Sequence, residues 1–333
     1  MGTILVTGAD GFIGSHLVEV LVANGYHVKS MVCYNAFGHY GWLDSIDPKI
    51  TDSCEIVMGD IRDPVFVDEA VSGCSFVMHL AALIGIPFSF RAPDSYVDVN
   101  VKGTLNILNA CRKHDVERLI HTSTSEVYGT AQSVPIEEAH PLVGQSPYSA
   151  SKIAADSLAL SYYYSFNLPV MILRPFNTFG PRQSMRAVIP TIAVQLLSDS
   201  RIVRLGDLTP TRDFTFVEDT ALGFLAALRS RDIVGEVVNL GTGFEISIAD
   251  LVPLIAGVLG VDYEIESDLA RVRPAASEVF RLVSDNSKAR NRMGWSPNFD
   301  GHEGLIRGLQ ATIEWLRANR VGGLFTGRSG YVI

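Results

Sequence analysis

Residues 3–14 read Thr3-Ile4-Leu5-Val6-Thr7-Gly8-Ala9-Asp10-Gly11-Phe12-Ile13-Gly14, and this stretch decides the fold. Thr3 to Thr7 is a short apolar run, the pattern of a buried parallel strand. Gly8, Gly11 and Gly14 open an apolar helix expected from about Phe12 to Ala23 and ended by Gly25. His27 to Cys33 then reads as a second strand. Strand, glycine turn, helix, strand is the context a dinucleotide fingerprint requires. The glycines let backbone approach a pyrophosphate at the helix N-terminus, where unpaired N–H groups and the helix dipole favour an anion. Gly8, Gly11, Phe12, Ile13 and Gly14 are therefore the expected cofactor contacts. An acid closing the second strand would bind the ribose hydroxyls of NAD and repel the added phosphate of NADP. Here the strand closes Val32-Cys33-Tyr34-Asn35, with neither acid nor Arg, so both dinucleotides stay open. Asn35 to Ser45 reads as a long loop.

Further out, strands are expected at Glu55–Gly59, Phe76–His79, Arg118–Thr122 and Val170–Arg174, alternating with long helices at Asp94–His114 and Pro147–Phe166. That alternation predicts an α/β fold with a doubly wound parallel sheet, a Rossmann domain over residues 1–175. After Pro175 the texture changes. Helices near Ala187–Leu197, Val217–Arg229, Ser247–Leu259 and Glu303–Ala318, with short strands between them, predict a smaller C-terminal α/β substrate-binding domain over 176–333. No linker separates the two, so the second is expected to interleave with the first, some later segments returning to it. Asp60 and Ile61 fall where an adenine ring would lie against a strand end, with a plain turn as the equal alternative. Small residues in Leu80-Ala81-Ala82 let backbone approach the cofactor. Asn100 shares a helix side with Tyr96, Thr104 and Leu108 and reads first as a buried polar group, second as part of a hydrogen-bond relay.

The chemistry concentrates between His121 and Lys152. Thr124, Ser125 and Glu126 sit just past a strand end, where open α/β sheets hold their ligands. Tyr148 and Lys152, behind the helix start Ser146-Pro147, lie four apart and so share a helix face. An ammonium near a phenol favours phenolate, which would let Tyr148 accept an alcohol proton near neutral pH. Taken alone, the spacing describes an ordinary exposed pair; the glycine turn and Glu126 change its meaning. Arg186, Arg204, Arg212 and Arg273 are spread through the second half. Singly each is a solvated surface charge, but together around a cleft they suit a diphosphate.

Composition narrows the rest. The chain has 333 residues, is 47% hydrophobic and 19% charged, and carries a net charge of -9, which argues against nucleic acid or an anionic membrane as partner. Cys33, Cys54, Cys74 and Cys111 form no C-x-x-C pair and no zinc-ligand spacing, so no metal is expected and buried free thiols in a reducing cytoplasm are the reading. No signal peptide or membrane span is expected.

Thr7-Gly8-x-x-Gly11-x-x-Gly14, His79-Leu80-Ala81-Ala82, Tyr148-x-x-x-Lys152 and Arg212-Asp213-Phe214 through Asp219 resemble the extended short-chain dehydrogenase/reductase family, to about Trp315. Thr124-Ser125-Glu126 looks like GDP-mannose 4,6-dehydratases and like UDP-glucuronate decarboxylases. 4-Epimerases usually have small residues at Glu126, and dTDP-glucose enzymes have Asp at Ser125. Longer matches, including Tyr34-Asn35-x-Phe37, Gly41-Trp42-Leu43-Asp44, Pro181-Arg182-Gln183 through Val188-Ile189-Pro190 and the closing Tyr331-Val332-Ile333, are similar to the nucleotide-N-acetylglucosamine 4,6-dehydratases of legionaminic acid pathways. The resemblance implies a tightly held, recycled NAD or NADP, a nucleotide-diphosphate sugar gripped by Asn177, Val188, Arg204, Arg212 and Arg273, and a homodimer paired through the two long helices. It implies a lyase reaction in which Tyr148, with Thr124 and Lys152, oxidises C4, Glu126 removes the C5 proton, and protonated Glu126 with Ser125 serves the loss of water from C6. The nucleotide base and the identity of the acid stay open. The competing readings are uronic acid decarboxylation, C4 epimerisation and, outside enzymes, a dinucleotide sensor. The sensor would have lost Tyr148 or Lys152, and both are present.

Overall fold

The computed structural model describes residues 2–198 and 201–320; Tyr331-Val332-Ile333 lies outside them. The strands are β1 (Thr3–Thr7), β2 (His27–Cys33), β3 (Glu55–Gly59), β4 (Phe76–His79), β5 (Arg118–Thr122), β6 (Val170–Pro175), β7 (Asn177–Phe179), β8 (Ile202–Leu205), β9 (Thr211–Phe216), β10 (Val237–Leu240), β11 (Glu245–Ser247), β12 (Glu264–Ser267) and β13 (Arg281–Leu282). The helices are α1 (Phe12–Ala23), α2 (Pro48–Thr51), α3 (Pro64–Val71), α4 (Ile86–Ser89), α5 (Pro93–Tyr96), α6 (Gly103–Lys113), α7 (Pro147–Phe166), α8 (Val188–Leu196), α9 (Val217–Arg229), α10 (Ile248–Leu259) and α11 (Gly301–Arg320).

Seven strands form one sheet in the order β10-β6-β5-β4-β1-β2-β3, every pairing parallel. Apolar side chains leave both faces, so both are covered, as parallel sheets require. Leu17, Val18 and Leu21 of α1 and Phe224 and Leu228 of α9 fill one side. Val67 and Val71 of α3, Ile107 and Cys111 of α6 and Ala159 of α7 fill the other. The order reverses between β1 and β4, which opens a ligand crevice at their carboxyl ends.

Local chemistry fixes the element that carries Tyr148. The Ser146 hydroxyl accepts the Ser149 N–H at 3.1 Å, the Ser149 hydroxyl returns the bond to the Ser146 N–H at 3.0 Å, and Pro147 occupies the first helical position. Such a capping box is worth about 1 kcal/mol and sets where α7 begins.

The chain leaves this sheet after β6. In the second lobe β9 is central, flanked by β11 antiparallel and by β13 and β7 parallel. Its core joins Phe179, Phe214, Phe216, Ile192, Leu251 and Ile313. The chain then returns, and β10 pairs with β6 at the edge of the first sheet.

Three expectations need correction. The helix expected over Asp94–His114 is broken into α5, a π-helical turn at Val97–Lys102, and α6. The wide turn contains Asn100, whose amide accepts the Leu83 N–H at 2.8 Å and donates to the Leu83 carbonyl and the Ser151 hydroxyl at 2.9 Å each. Asn100 is thus a buried polar group that joins a loop to α7. The expected loop over Asn35–Ser45 ends in a 3-10 turn at Gly41–Ser45, followed by α2 behind an Asp47 cap, because Leu43 is buried and Trp42 meets Trp315 edge-on. The thiols are free, but Cys33 is exposed at the end of β2; only Cys74 and Cys111 are fully buried. No helix among the described residues is long and apolar enough to cross a membrane, and no cluster of three metal-ligating side chains occurs among them.

Candidate active site

The glycine turn fits a dinucleotide. Gly8 adopts φ +69°, and a Cβ there would stand 2.9 Å from the Ala81 nitrogen. A Cβ on Gly14 would stand 2.1 Å from the Gly8 carbonyl. Only glycine permits this close approach. The N-terminus of α1 has no side-chain cap and no acid in its first turn, so its N–H groups stay available to an anion. Phe12 and Ile13 open that helix. Behind the turn, the Thr7 hydroxyl accepts the N–H groups of Leu80 and Ala81 at 3.1 Å each and donates to His79 Nδ1 at 2.8 Å. His79 Nε2 donates to the Thr104 hydroxyl at 3.0 Å, which donates to the Asn100 carbonyl at 2.6 Å. The chain of bonds fixes the neutral tautomer, and burial lowers the imidazole pKa far below its usual value. His79 thereby ties the Leu80-Ala81-Ala82 segment to the glycine turn. Asp60 closes on Arg62, with Nε 3.0 Å from both carboxylate oxygens, and Ile61 is buried against Gly103.

Thr124 caps the 3-10 turn Ser125–Tyr128 that follows β5; its oxygen accepts the Glu126 N–H at 3.2 Å. Thr124 also lies near enough to the Tyr148 phenol to pull its pKa down. Ser125 and Glu126 are both buried. The Glu126 carboxylate acts electrostatically on both Tyr148 and Arg212. Tyr96 meets the Tyr148 ring edge-on at 6.2 Å.

The expectation that Lys152 lowers the Tyr148 pKa is not met. Burial raises it well above the usual phenol value and outweighs Thr124, and the Lys152 ammonium donates to the Thr122 carbonyl at 2.6 Å. Burial also lowers the Lys152 pKa to about 8, opposed by the charge of Asp156. Asp156, one turn further along α7, accepts from Ser123 at 2.8 Å and from Arg174 Nη2 at 2.9 Å, and stands 3.4 Å from His121 Nε2. Burial first, then Lys152, keeps His121 neutral with a pKa of about 4. Sequence reading missed this cluster beneath Tyr148 and Lys152. Its one signal was the acid four residues beyond Lys152.

On the facing lobe, one Glu278 oxygen stands 3.5 Å from Arg212 Nη2 and 3.6 Å from Arg273 Nη1. Arg212 is almost fully buried, while Arg273 Nη1 and the Asn177 Oδ1 are buried without a hydrogen-bond partner. Two guanidiniums sharing one carboxylate, with an unsatisfied amide on β7, the strand beside the β9 that carries Arg212, make a site ready for an anion. Val188 begins α8, half-buried. Arg204 is not brought into this group: it lies mostly exposed on β8, bonded to Glu266 of β12 at 3.0 Å. Arg182, which sequence reading gave no role, donates to His16 Nδ1 and Glu19 while His16 Nε2 donates to the Pro181 carbonyl, tying the loop after β7 to α1.

Sheet, glycine turn and the Thr124–Tyr148–Lys152 constellation together define an extended short-chain dehydrogenase/reductase. Within that class the chain belongs to the family described as GDP-mannose 4,6 dehydratase, whose model matches residues 5–307. It is 34% identical to a dTDP-glucose 4,6-dehydratase of Streptomyces antibioticus over 95% of this chain and 93% of that one. Among solved structures it is similar to the dTDP-glucose 4,6-dehydratase of Streptomyces venezuelae with NAD bound, at 30% identity and a TM-score of 0.86, over 96% of this chain and 98% of that one. It is equally similar to the UDP-glucuronic acid 4-epimerase of Bacillus cereus in complex with UDP-glucuronic acid and NAD, at 30% identity and a TM-score of 0.86, over 95% and 99% of the two chains. Dehydratases and epimerases thus both stand among its relatives.

Proposed function

We propose that this chain is a nucleotide-sugar 4,6-dehydratase that converts a nucleotide-diphosphate hexose to its 4-keto-6-deoxy form, with nucleotide-linked N-acetylglucosamine of the legionaminic acid route as the substrate. One observation carries the reading: Glu126 is a buried acid just past the end of β5, and its charge reaches both Tyr148 and Arg212. Epimerisation at C4 has no use for a second base, whereas dehydration across C5 and C6 requires one. When bound, an oxidised nicotinamide dinucleotide would supply a positive charge, accept the C4 hydride and give it back at C6 once water has left, ending oxidised. NAD bound in the solved relatives supports a cofactor of that type. Tyr148, deprotonated beside that positive charge, takes the C4 hydroxyl proton and becomes the phenol; Thr124, which pulls the phenol pKa down, favours the phenolate before the transfer. Glu126 removes the C5 proton, acidified by the neighbouring ketone, and gives it to the C6 hydroxyl as water departs; C5 takes a proton from solvent as C6 is reduced. Ser125, buried on the same 3-10 turn, orients that hydroxyl. Arg212, Arg273 and Asn177 hold the diphosphate and keep C4 within reach of Tyr148.

The test is incubation with nucleotide-linked N-acetylglucosamine, glucose and glucuronate on uridine, guanosine and thymidine diphosphates, followed by mass spectrometry. A product lighter by one water supports dehydration. A product of unchanged mass with inverted C4, or one lighter by carbon dioxide, rejects it in favour of the epimerase or the decarboxylase.

A further inference from the structure

The carboxyl end of β2 carries no acid in sequence, yet a carboxylate stands there in the fold. Asp10, inside the glycine turn, accepts the Cys33 N–H on Oδ2 at 3.2 Å. Its backbone is pinned from the other side: the Trp42 N–H donates to the Asp10 carbonyl at 3.0 Å. Gly41 lies so close that a Cβ on it would stand 2.6 Å from that carbonyl and 2.8 Å from the Asp10 Cβ. The 34–45 loop is in turn held by Asn35, which accepts the N–H groups of Phe37 and His39 and donates to the His39 carbonyl at 2.8 Å. The Asp10 side chain is therefore fixed between the glycine turn, the β2 end and this loop.

The charges around it point the same way. Among the described residues no Lys, Arg or His pairs with Asp10. Arg62, whose charge reaches the Cys33 thiol, is occupied by Asp60 through its Nε at 3.0 Å. His39, the sole basic residue of the loop, stands 3.7 Å from Asp44. The end of β2 thus offers a carboxylate with an oxygen to spare and no uncommitted cation.

Resting on the reading of the glycine turn as a dinucleotide site, we infer that Asp10 does from within the turn what a strand-end acid does elsewhere. It accepts the adenosine ribose hydroxyls and repels a 2′-phosphate, which makes the chain selective for NAD over NADP. The substitution of Cys33 for an acid on the strand is compensated by a residue that β1–β2 pairing brings alongside it.

Calorimetric titration of dinucleotide-free protein with NAD+ and with NADP+ tests this by binding, independent of turnover. The wild-type chain binds NAD+ more tightly by about a hundredfold. Asp10→Asn keeps an acceptor for the Cys33 N–H and removes only the charge. In it the ratio falls about tenfold or more, chiefly through tighter NADP+ binding. Adding Cys33→Asp to Asp10→Asn restores the ratio. Asp10→Ser, which also keeps an acceptor, repeats the fall should Asp10→Asn misfold. Equal wild-type affinities, or a ratio unmoved by either Asp10 variant, overturn the inference. A wild-type chain that binds neither dinucleotide overturns the site reading beneath it as well.

Discussion

Lys152 offers a direct physical test of the environment around Tyr148. Its ammonium is buried with the Thr122 carbonyl as its hydrogen-bond partner and Asp156 as its countercharge, and its pKa falls from 10.5 to about 8. That displacement converts to about 3 kcal/mol of preference for the neutral amine in the folded chain. Between pH 8 and 10.5 the unfolded chain still holds the proton that the folded chain has released, so stability rises with pH across this window. Lys152→Met removes the titration. At pH 7 the variant escapes the burial cost of the charge but leaves the Thr122 carbonyl without its donor, a loss of about 1–3 kcal/mol, so the two proteins lie close in stability. By pH 10.5 the wild type should have gained about 3 kcal/mol on the variant. Tyr148, whose raised pKa lowers stability above pH 10, is present in both chains and cancels in the comparison. Urea unfolding of dinucleotide-free protein, followed by tryptophan fluorescence in reductant, measures the difference at each pH. Stability differences that stay constant from pH 7 to 10.5 would refute a buried, charge-strained Lys152.

The remaining expectations concern chemistry and assembly. Glu126→Gln should retain C4 oxidation yet incorporate no solvent deuterium at C5, and the sugar should keep its C6 oxygen; release of a 4-keto-6-deoxy product near the wild-type rate would remove Glu126 from the reaction. Tyr148→Phe should lower turnover by about 10²–10⁴-fold with substrate affinity little changed, because one general base is lost; a smaller fall in the steady-state rate counts against its role. Arg273→Ala should weaken nucleoside diphosphate binding about ten- to hundredfold in calorimetry, the worth of one charge-assisted contact. A homodimer through the 93–113 helical run and α7 is expected, since Val97, Tyr164 and Phe166 are left exposed there; light scattering should report twice the chain mass, and Tyr164→Glu should reduce it.

The features legible in the sequence were local. The glycine turn, the apolar strand runs and the Ser146-Pro147 start of α7 are written within a few neighbouring residues, and each appears where it was read. The π-helical turn was not legible, because Tyr96, Asn100, Thr104 and Leu108 keep an ordinary helical spacing through it. The basicity of Tyr148 was misjudged for a different reason. Its spacing from Lys152 is local, but its burial, and the capture of the ammonium by Thr122 across to β5, belong to tertiary structure. Asp156, Arg174 and His121 converge only because β5 and β6 are neighbours and α7 lies over them. Glu278 meets Arg212 for a similar reason, from a segment far along the chain.

The return of β10 to the first sheet has a consequence for biosynthesis. β6 is buried along its whole length, and β10 supplies its outer neighbour. A nascent chain that has reached Pro175 carries all but one strand of that sheet, with the β6 edge bare. It stays bare until Val237–Leu240 leaves the ribosome, and the intervening residues are those of β7, α8, β8, β9 and α9. An open apolar edge invites pairing with another chain. Vectorial synthesis therefore cannot finish the nucleotide half first, and a truncation anywhere between β6 and β10 leaves a sticky fragment where a cut at a true linker would leave a stable one.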